Sequence, residues 1–262
     1  MVKNKIGHKI LLAFWDNYSL QNWVGPLNKL FERVLLFEPR ENRIKFGQEK
    51  MNDLFIEAVN KEKPDYILFN LIGDEFSIET LMSVRRASPM SRLINFAGDD
   101  DFQFESFTRY LSNFFDAQIL YQIDFLKKYH NDGFRNVFVS MGVNLEQYRF
   151  LNLPKKYEVV FIGVPRKDRA SFIRYLVKNK INVKIWGAGW EKYPDLANIW
   201  GGYLNPENLV KIVNESKISL SFSKGGTGNG TLHFTGRVFE TGACISFQLI
   251  EFYEGYNKLF KN

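Results

Sequence analysis

Short apolar runs alternate along this chain with segments whose apolar residues recur at helical spacing, and this alternation restricts the fold more tightly than any other feature. Residues 9–15, 33–37, 66–70, 92–96, 117–121 and 137–140 read as buried strands. Between them, residues 49–62 place Met51, Leu54, Phe55, Ala58 and Val59 on one helical face. Further helices are predicted over 77–87, 104–114 and 123–131. A polar, turn-rich loop is predicted over 16–25, with a helix starting at Pro26, since proline suits a first helical position. Residues 142–156 show no period, contain Pro154 and read as a linker. The alternation then restarts. Strands are predicted over 158–162, 183–186, 217–222 and 245–249, with a short extended piece over 199–203. Asp168 is the predicted cap of a helix running to Lys178. Asn205-Pro206-Glu207 gives a second start signal, for a helix reaching Glu215. Strand–helix alternation of this kind builds an open parallel sheet covered on both faces. The chain therefore reads as an α/β protein of two units, residues 1–150 and 155–262.

Open parallel sheets bind ligands beyond the carboxyl ends of their strands. Asp16, Asp74, Glu75 and the run Asp99-Asp100-Asp101 all fall at such ends. That run suits sugar hydroxyls or a divalent cation, or is a solvated turn. With 262 residues, 45% of them hydrophobic, the chain has material for a sizeable core in each unit. The formal charge of +6 suits an anionic ligand or a peripheral membrane contact, and no dense basic tract argues for nucleic acid. The single cysteine, Cys244, reads as core and excludes an internal disulfide. No apolar run reaches the ~18 residues of a membrane helix, and the N-terminus has no signal-peptide core. The expected compartment is the cytoplasm. None of the three histidines, His8, His130 and His233, has metal-ligand spacing.

The second half carries the chemistry. The strand over 217–222 leads into Lys224-Gly225-Gly226-Thr227-Gly228-Asn229-Gly230-Thr231, then into Arg237-Val238-Phe239-Glu240. Free backbone N–H groups and a helix start favour an anion in such a place. The run is not a P-loop, because Gly230 stands where the lysine would be. Arg237 supplies a forked cation, and Glu240 shares its helix face three residues later. Phosphate for the first and sugar hydroxyls for the second would suit a nucleotide-sugar; the alternative is a pair that only stabilises the helix start. Arg166, Lys167 and Arg169 cluster after Gly163 at a strand end and a helix start. Basic residues are unfavourable there unless an anion reverses the field. Gly187-Ala188-Gly189-Trp190 begins like a dinucleotide fingerprint but lacks its third glycine, which weighs against a dinucleotide-dependent oxidoreductase. The glycines would let a base approach, with Trp190 or Tyr203 packing nearby, although Trp190 also reads as core. His233 could donate to a phosphate or a sugar.

In these segments the second half resembles the C-terminal domain of CgeB-like spore-maturation glycosyltransferases, a branch of the GT-B superfamily. The matching pieces are Val159-Val160-Phe161-Ile162-Gly163 with Arg169, Trp186 to Trp190, Lys217 to Ser221, and Arg237 to Glu240 with Ala243-Cys244. The first half is similar to the accompanying N-terminal domain in Asp99-Asp100, Phe115-Asp116, Tyr129, Gly133 and the stretch Val139 to Tyr148. The resemblance implies two facing Rossmann-like domains, a nucleotide-sugar donor bound by the second and an acceptor of unknown identity approached from the first. It implies Glu240 on the donor ribose, Arg169 with Arg166 and Lys167 on the diphosphate, and no metal. Outside the resemblance, Asp99 or Asp100 is the acid chosen as base, and no cofactor is expected. Two departures stand out. The family's earlier glutamate would fall at Leu232, so Lys224 or His233 would have to replace it. The family also continues with further helices, so the second domain reads as incomplete at its C-terminus. The expected activity is hexosyl transfer; the alternative is an inactive nucleotide- or glycan-binding module of the same fold.

Overall fold

The computed structural model describes residues 5–15, 17–224 and 232–260. The chain divides into two compact units, the first ending at Ser140 and the second beginning at Met141.

The first unit holds a parallel sheet of six strands: β1 (Ile6–Phe14), β2 (Phe31–Phe37), β3 (Tyr66–Asn70), β4 (Arg92–Ala97), β5 (Ala117–Leu120) and β6 (Val137–Val139). Their order is β2-β1-β3-β4-β5-β6. Because side chains alternate along a strand, β1 feeds two cores. Leu11 and Ala13 pack with Met51, Phe55 and Val59 of the Gln48–Glu62 helix and with Leu81 and Val84 of the Ile78–Ala87 helix. Ile10, Leu12 and Phe14 face the other way, onto Leu20 and Leu27. The helical spacing read over 49–62 is thus the spacing of the buried face.

Two helices depart from expectation. Residues 16–25 were predicted as loop, but a helix spans Asn17–Leu30 with Pro26 inside it. Proline costs a helix one bond four residues back. Here Leu20, Trp23, Val24 and Leu27 recur at helical spacing on the sheet, and their burial outweighs that loss. The single helix predicted over 104–114 is broken: Asp100–Gln103 is α-helical, Phe104–Thr108 widens to a π turn, and Ser112–Phe114 tightens.

The second sheet has four parallel strands: β7 (Tyr157–Ile162), β8 (Val183–Trp186), β9 (Ser216–Ser221) and β10 (Gln248–Ile250), in the order β10-β9-β7-β8. Val159 and Phe161 of β7 meet Ala170 and Ile173 of the Lys167–Lys178 helix. Val160 and Ile162 meet Leu209, Val210 and Val213 of the Pro206–Glu215 helix, with Cys244. Asn205 caps that last helix, its Oδ1 accepting from the Asn208 N–H at 2.8 Å. Asp168 is not a cap. The helix begins at Lys167 behind Arg166, which leaves Asp168 in the first turn, where its charge meets the positive end of the helix. Ile199 ends a tight helical turn over Pro194–Ile199, Trp200 makes one bridge to Ile185, and residues 201–203 are irregular rather than a strand. Residues 142–156 are packed rather than spacer-like. Tyr148 is 1% exposed within the second core, and the Leu151 N–H donates to Asn214 Oδ1 at 2.7 Å.

Each sheet places its first strand between its second and its third. The chain direction across the sheet therefore reverses between β1 and β3, and again between β7 and β9. Crevices at such reversals are where open α/β sheets take ligands.

Candidate functional site

In the second unit the reversal brings together the loop after β7 and the loop after β9. Arg166 ties them, its Nη1 donating to the Lys224 carbonyl at 2.7 Å. Arg169 lies one helical turn along. It is only 9% exposed, and its guanidinium carbon sits 5.7 Å from the ring centroids of both Phe161 and Phe222. Nη1 donates to the Val164 carbonyl at 3.1 Å, while the buried Nε has no partner. Burial, helped by the like charge of Arg166, pushes the Arg169 guanidinium down to about 10. Asp168 and Glu251 pull the other way. A buried cation held by aromatic faces, with a donor unused, is an arrangement completed by an anion. The Ser221 hydroxyl, at the end of β9, is likewise buried without a partner. It lines a cleft of about 230 Å³ whose walls include Phe172, Phe222, Leu249 and Glu251.

Lys224 is half exposed, its Nζ 3.9 Å from Asp168 Oδ2 and 3.5 Å from Glu251 Oε1. Lys167 is exposed at the first position of its helix. Residues 225–231, the glycine-rich run, lie outside the described residues, as does Asp16. The chain is described again from Leu232, which bridges to Lys224. His233 was considered as a donor to a phosphate or a sugar. It is 9% exposed, with its backbone N–H on the Ser223 carbonyl at 2.9 Å.

Arg237 and Glu240 share the first turns of the Gly236–Ala243 helix. Arg237 Nη1 is 2.7 Å from Glu240 Oε2, and the two side chains are 23% and 12% exposed. The pair weighed in the sequence therefore exists, and both charges reach solvent only in part.

The glycines of the β8 loop answer to packing. Gly187 has φ +129°, and a Cβ there would lie 2.5 Å from the Gly163 carbonyl oxygen. Gly189 also has positive φ, and its side of the loop abuts Pro165. Trp190 is core: it is 1% exposed, its ring stands edge-on to Phe161, and its Nε1 donates to the Gly163 carbonyl at 2.7 Å. The base-packing role considered for it fails, because no ligand reaches a ring enclosed on all sides. Tyr203, by contrast, is 66% exposed against Trp200.

In the first unit the two candidate bases differ. Asp99 is exposed and accepts the Tyr121 hydroxyl at 3.0 Å. Asp100 is 2% exposed and turns inward, accepting the Tyr129 hydroxyl at 2.9 Å. Burial pushes it up to about 6, and the charges of Asp99 and Asp101 add to this. A carboxylate enclosed in this way cannot meet an acceptor, which corrects the base role considered for Asp100. Among the described residues there is no cluster of three side chains suited to a metal. No helix among them is long and apolar enough to cross a membrane.

Sequence reasoning missed Phe222 and Glu251. Phe222 was read only as the end of a strand. Glu251 stands at the carboxyl end of β10, so the rule that singled out the acids after β4 applied to it as well.

Residues 166–262 match a family model described as glycosyl transferase-like. No curated protein matches the chain. Among solved structures, a UDP-N-acetylglucosamine 2-epimerase is similar with a TM-score of 0.53 at 11% identity, over 82% of this chain and 73% of that one. A UDP-GlcNAc 2-epimerase from Neisseria meningitidis bound to UDP-GlcNAc gives 0.52 at 12%, over 83% and 78%. The lipopolysaccharide outer core galactosyltransferase WaaB, in its apo form, gives 0.50 at 11%, over 92% and 80%. The fold is of GT-B type. At these identities the likeness is one of fold: two Rossmann-like units with parallel sheets. The residues that match the glycosyl transferase-like model follow the boundary at Met141.

Proposed function

We propose that the chain is a glycosyltransferase that moves a hexosyl group from a nucleotide diphosphate sugar to an acceptor. The observation that carries this reading is Arg169: a buried cation with an unused donor, set between two aromatic rings at the strand reversal of the unit that is glycosyltransferase-like in sequence. In the reaction an acceptor oxygen bonds to the anomeric carbon as the bond to the diphosphate oxygen breaks. The diphosphate leaves with the electron pair, and the acceptor's proton passes to a base. The second unit's contribution is to stabilise the leaving charge and hold the donor in place. Arg169, Arg166 and Lys224 take the diphosphate, with Lys167 at the rim. Glu240, oriented by Arg237, takes the ribose. Charge neutralisation by arginine and lysine makes a metal unnecessary. Asp99, exposed where Asp100 is enclosed, is the acid of that pair assigned to take the proton.

UDP is the first ligand to test, because one structural neighbour is bound to UDP-GlcNAc. Calorimetry should show saturable UDP binding that Arg169→Ala weakens at least tenfold. Binding unaffected by that substitution would remove the reading. A second reading, a binding module without turnover, is favoured by the Arg237–Glu240 ion pair, which neutralises in place two groups assigned to the donor. Donor hydrolysis or transfer by the purified chain decides between them.

A further inference from the structure

The anion-binding groups at the reversal in the second unit already hold an anion, and it comes from the chain itself. Oε2 of Glu251 accepts from two successive backbone N–H groups, Ser223 at 3.0 Å and Lys224 at 3.3 Å. Its other oxygen lies 3.5 Å from Lys224 Nζ. Two successive amides on one carboxylate form the kind of concave nest that elsewhere binds phosphate. Here a lysine lies beside it, and the carboxylate also acts on the charge of Arg169.

The position of Glu251 is fixed from outside the loop it serves. Ile250 pairs with Ser221 in the sheet, and the Glu251 N–H donates to the Ser221 carbonyl at 2.9 Å. The Glu251 carbonyl accepts the Ser223 hydroxyl at 2.8 Å. The first unit offers an instructive contrast. After β3, Glu75 takes the N–H groups of Ile72 and Gly73, but it lies only two and three residues on and so closes a local turn. Glu251 is 27 and 28 residues from its amides and arrives on a separate strand. A local turn does not need such an acid; a cationic cluster at a ligand crevice does.

We infer that Glu251 is an internal counter-anion of the diphosphate site, which an incoming phosphate displaces from the Ser223 and Lys224 amides. The inference rests on the proposed donor site. Its chemistry is competition between two anions for the same donors: Arg169 and Lys224 face Asp168 and Glu251, and the ligand replaces one of these acids. Glu251 is thus a regulating residue of the site. It keeps a cationic crevice satisfied while empty and sets a threshold for anions too weak to displace it.

The test is Glu251→Gln, which keeps the shape and an acceptor oxygen but removes the charge. Wild-type and variant protein are titrated with inorganic pyrophosphate and with UDP, and the amide resonances of Ser223 and Lys224 are followed. The expected result is three- to tenfold tighter binding of both ligands by the variant, with both amides moving in wild type as pyrophosphate is added. If the variant binds either ligand equally or more weakly, Glu251 only props the loop and the inference fails, while wild-type UDP binding leaves the transferase reading standing. Amides that stay still in wild type at saturation also overturn the inference. If neither protein binds either ligand, both readings fall together. Asp168→Asn is the companion variant: a gain for it as large as for Glu251→Gln would mean a general charge effect and would overturn the specific role of Glu251. Unchanged backbone spectra away from the loop show that each variant folds.

Discussion

The hydroxyl of Tyr129 donates to the carboxylate of Asp100 at 2.9 Å, across 29 residues of chain and inside the core of the first unit. Asp100 is pushed up to about 6, chiefly because burial disfavours its charge. The folded chain therefore binds this proton more tightly than the unfolded chain. Stability from the protonated group is present below about pH 4 and is lost as pH rises through about 6. The size is about 3 kcal/mol for a group this enclosed. Urea unfolding at a series of pH values should show the decline in wild type and a flatter profile in Asp100→Asn. Tyr129→Phe should cost about 1–3 kcal/mol at pH 7.5, where the carboxylate loses a donor, and less at pH 4.5. A slope that survives in Asp100→Asn would place its origin elsewhere.

Arg169 gives the opposite sign to most buried residues. Its guanidinium is pushed down to about 10 by burial, which means that the fold carries a charge it would rather shed. That cost is present at every pH below 10 and corresponds to about 3 kcal/mol, offset in part by the two aromatic faces, each worth roughly 0.5–2 kcal/mol. Arg169→Met should therefore raise the unfolding free energy of the empty protein by about 1 kcal/mol, while abolishing UDP binding. A merely structural arginine predicts the reverse on the first count, since its removal would lower stability. Thermal melts with and without UDP read both effects.

Two cores and both sheets were legible because their signal is local. Strand runs such as Val159 to Ile162 are apolar on both faces only when a sheet is covered twice, and Met51, Phe55 and Val59 bury one helical stripe. Pro26 misled because its cost is read from one residue, while the burial of Leu20 and Leu27 that outweighs it depends on a sheet assembled elsewhere. Asp99 and Asp100 are neighbours of the same type. Only the inward turn of the second, onto Tyr129, separates a solvent-facing acid from a core acid. Arg169 was legible as a basic residue after a strand. Its two ring faces were not, since Phe222 is brought to it by the pairing of β7 with β9. Glu251 was legible as an acid beyond a strand end; its hold on the Ser223 and Lys224 amides was not, since it depends on the register of β10.

Asn214 holds residues 149–156 to the second unit. Its Oδ1 accepts from the Leu151 N–H at 2.7 Å, and its Nδ2 donates to the carbonyls of Arg149 at 3.1 Å and Val210 at 2.8 Å. Asn214→Ala leaves a partly buried amide and carbonyl without these partners. The expected cost is about 2–4 kcal/mol, from the ~1–3 kcal/mol of each unmet group. Hydrogen exchange should quicken first at Leu151, ahead of the strands. Exchange that rises uniformly would mean that the segment is held by Tyr148 and the apolar contacts alone.

Glu240 and Arg237 can be separated by the choice of ligand. Glu240 is assigned to ribose hydroxyls and Arg237 to holding its carboxylate, through the 2.7 Å pair. Glu240→Ala should then weaken UDP about tenfold, in line with ~1.5–3 kcal/mol for a hydrogen bond to a charged group, and leave inorganic pyrophosphate unchanged. Arg237→Ala should weaken UDP by less, because the carboxylate stays but loses its orientation, and it too should spare pyrophosphate. If the pair serves only the helix start, both substitutions lower stability by about 0.5 kcal/mol and neither alters UDP binding. A loss of pyrophosphate affinity in Glu240→Ala would instead mean that the carboxylate orders the phosphate donors and never touches the sugar.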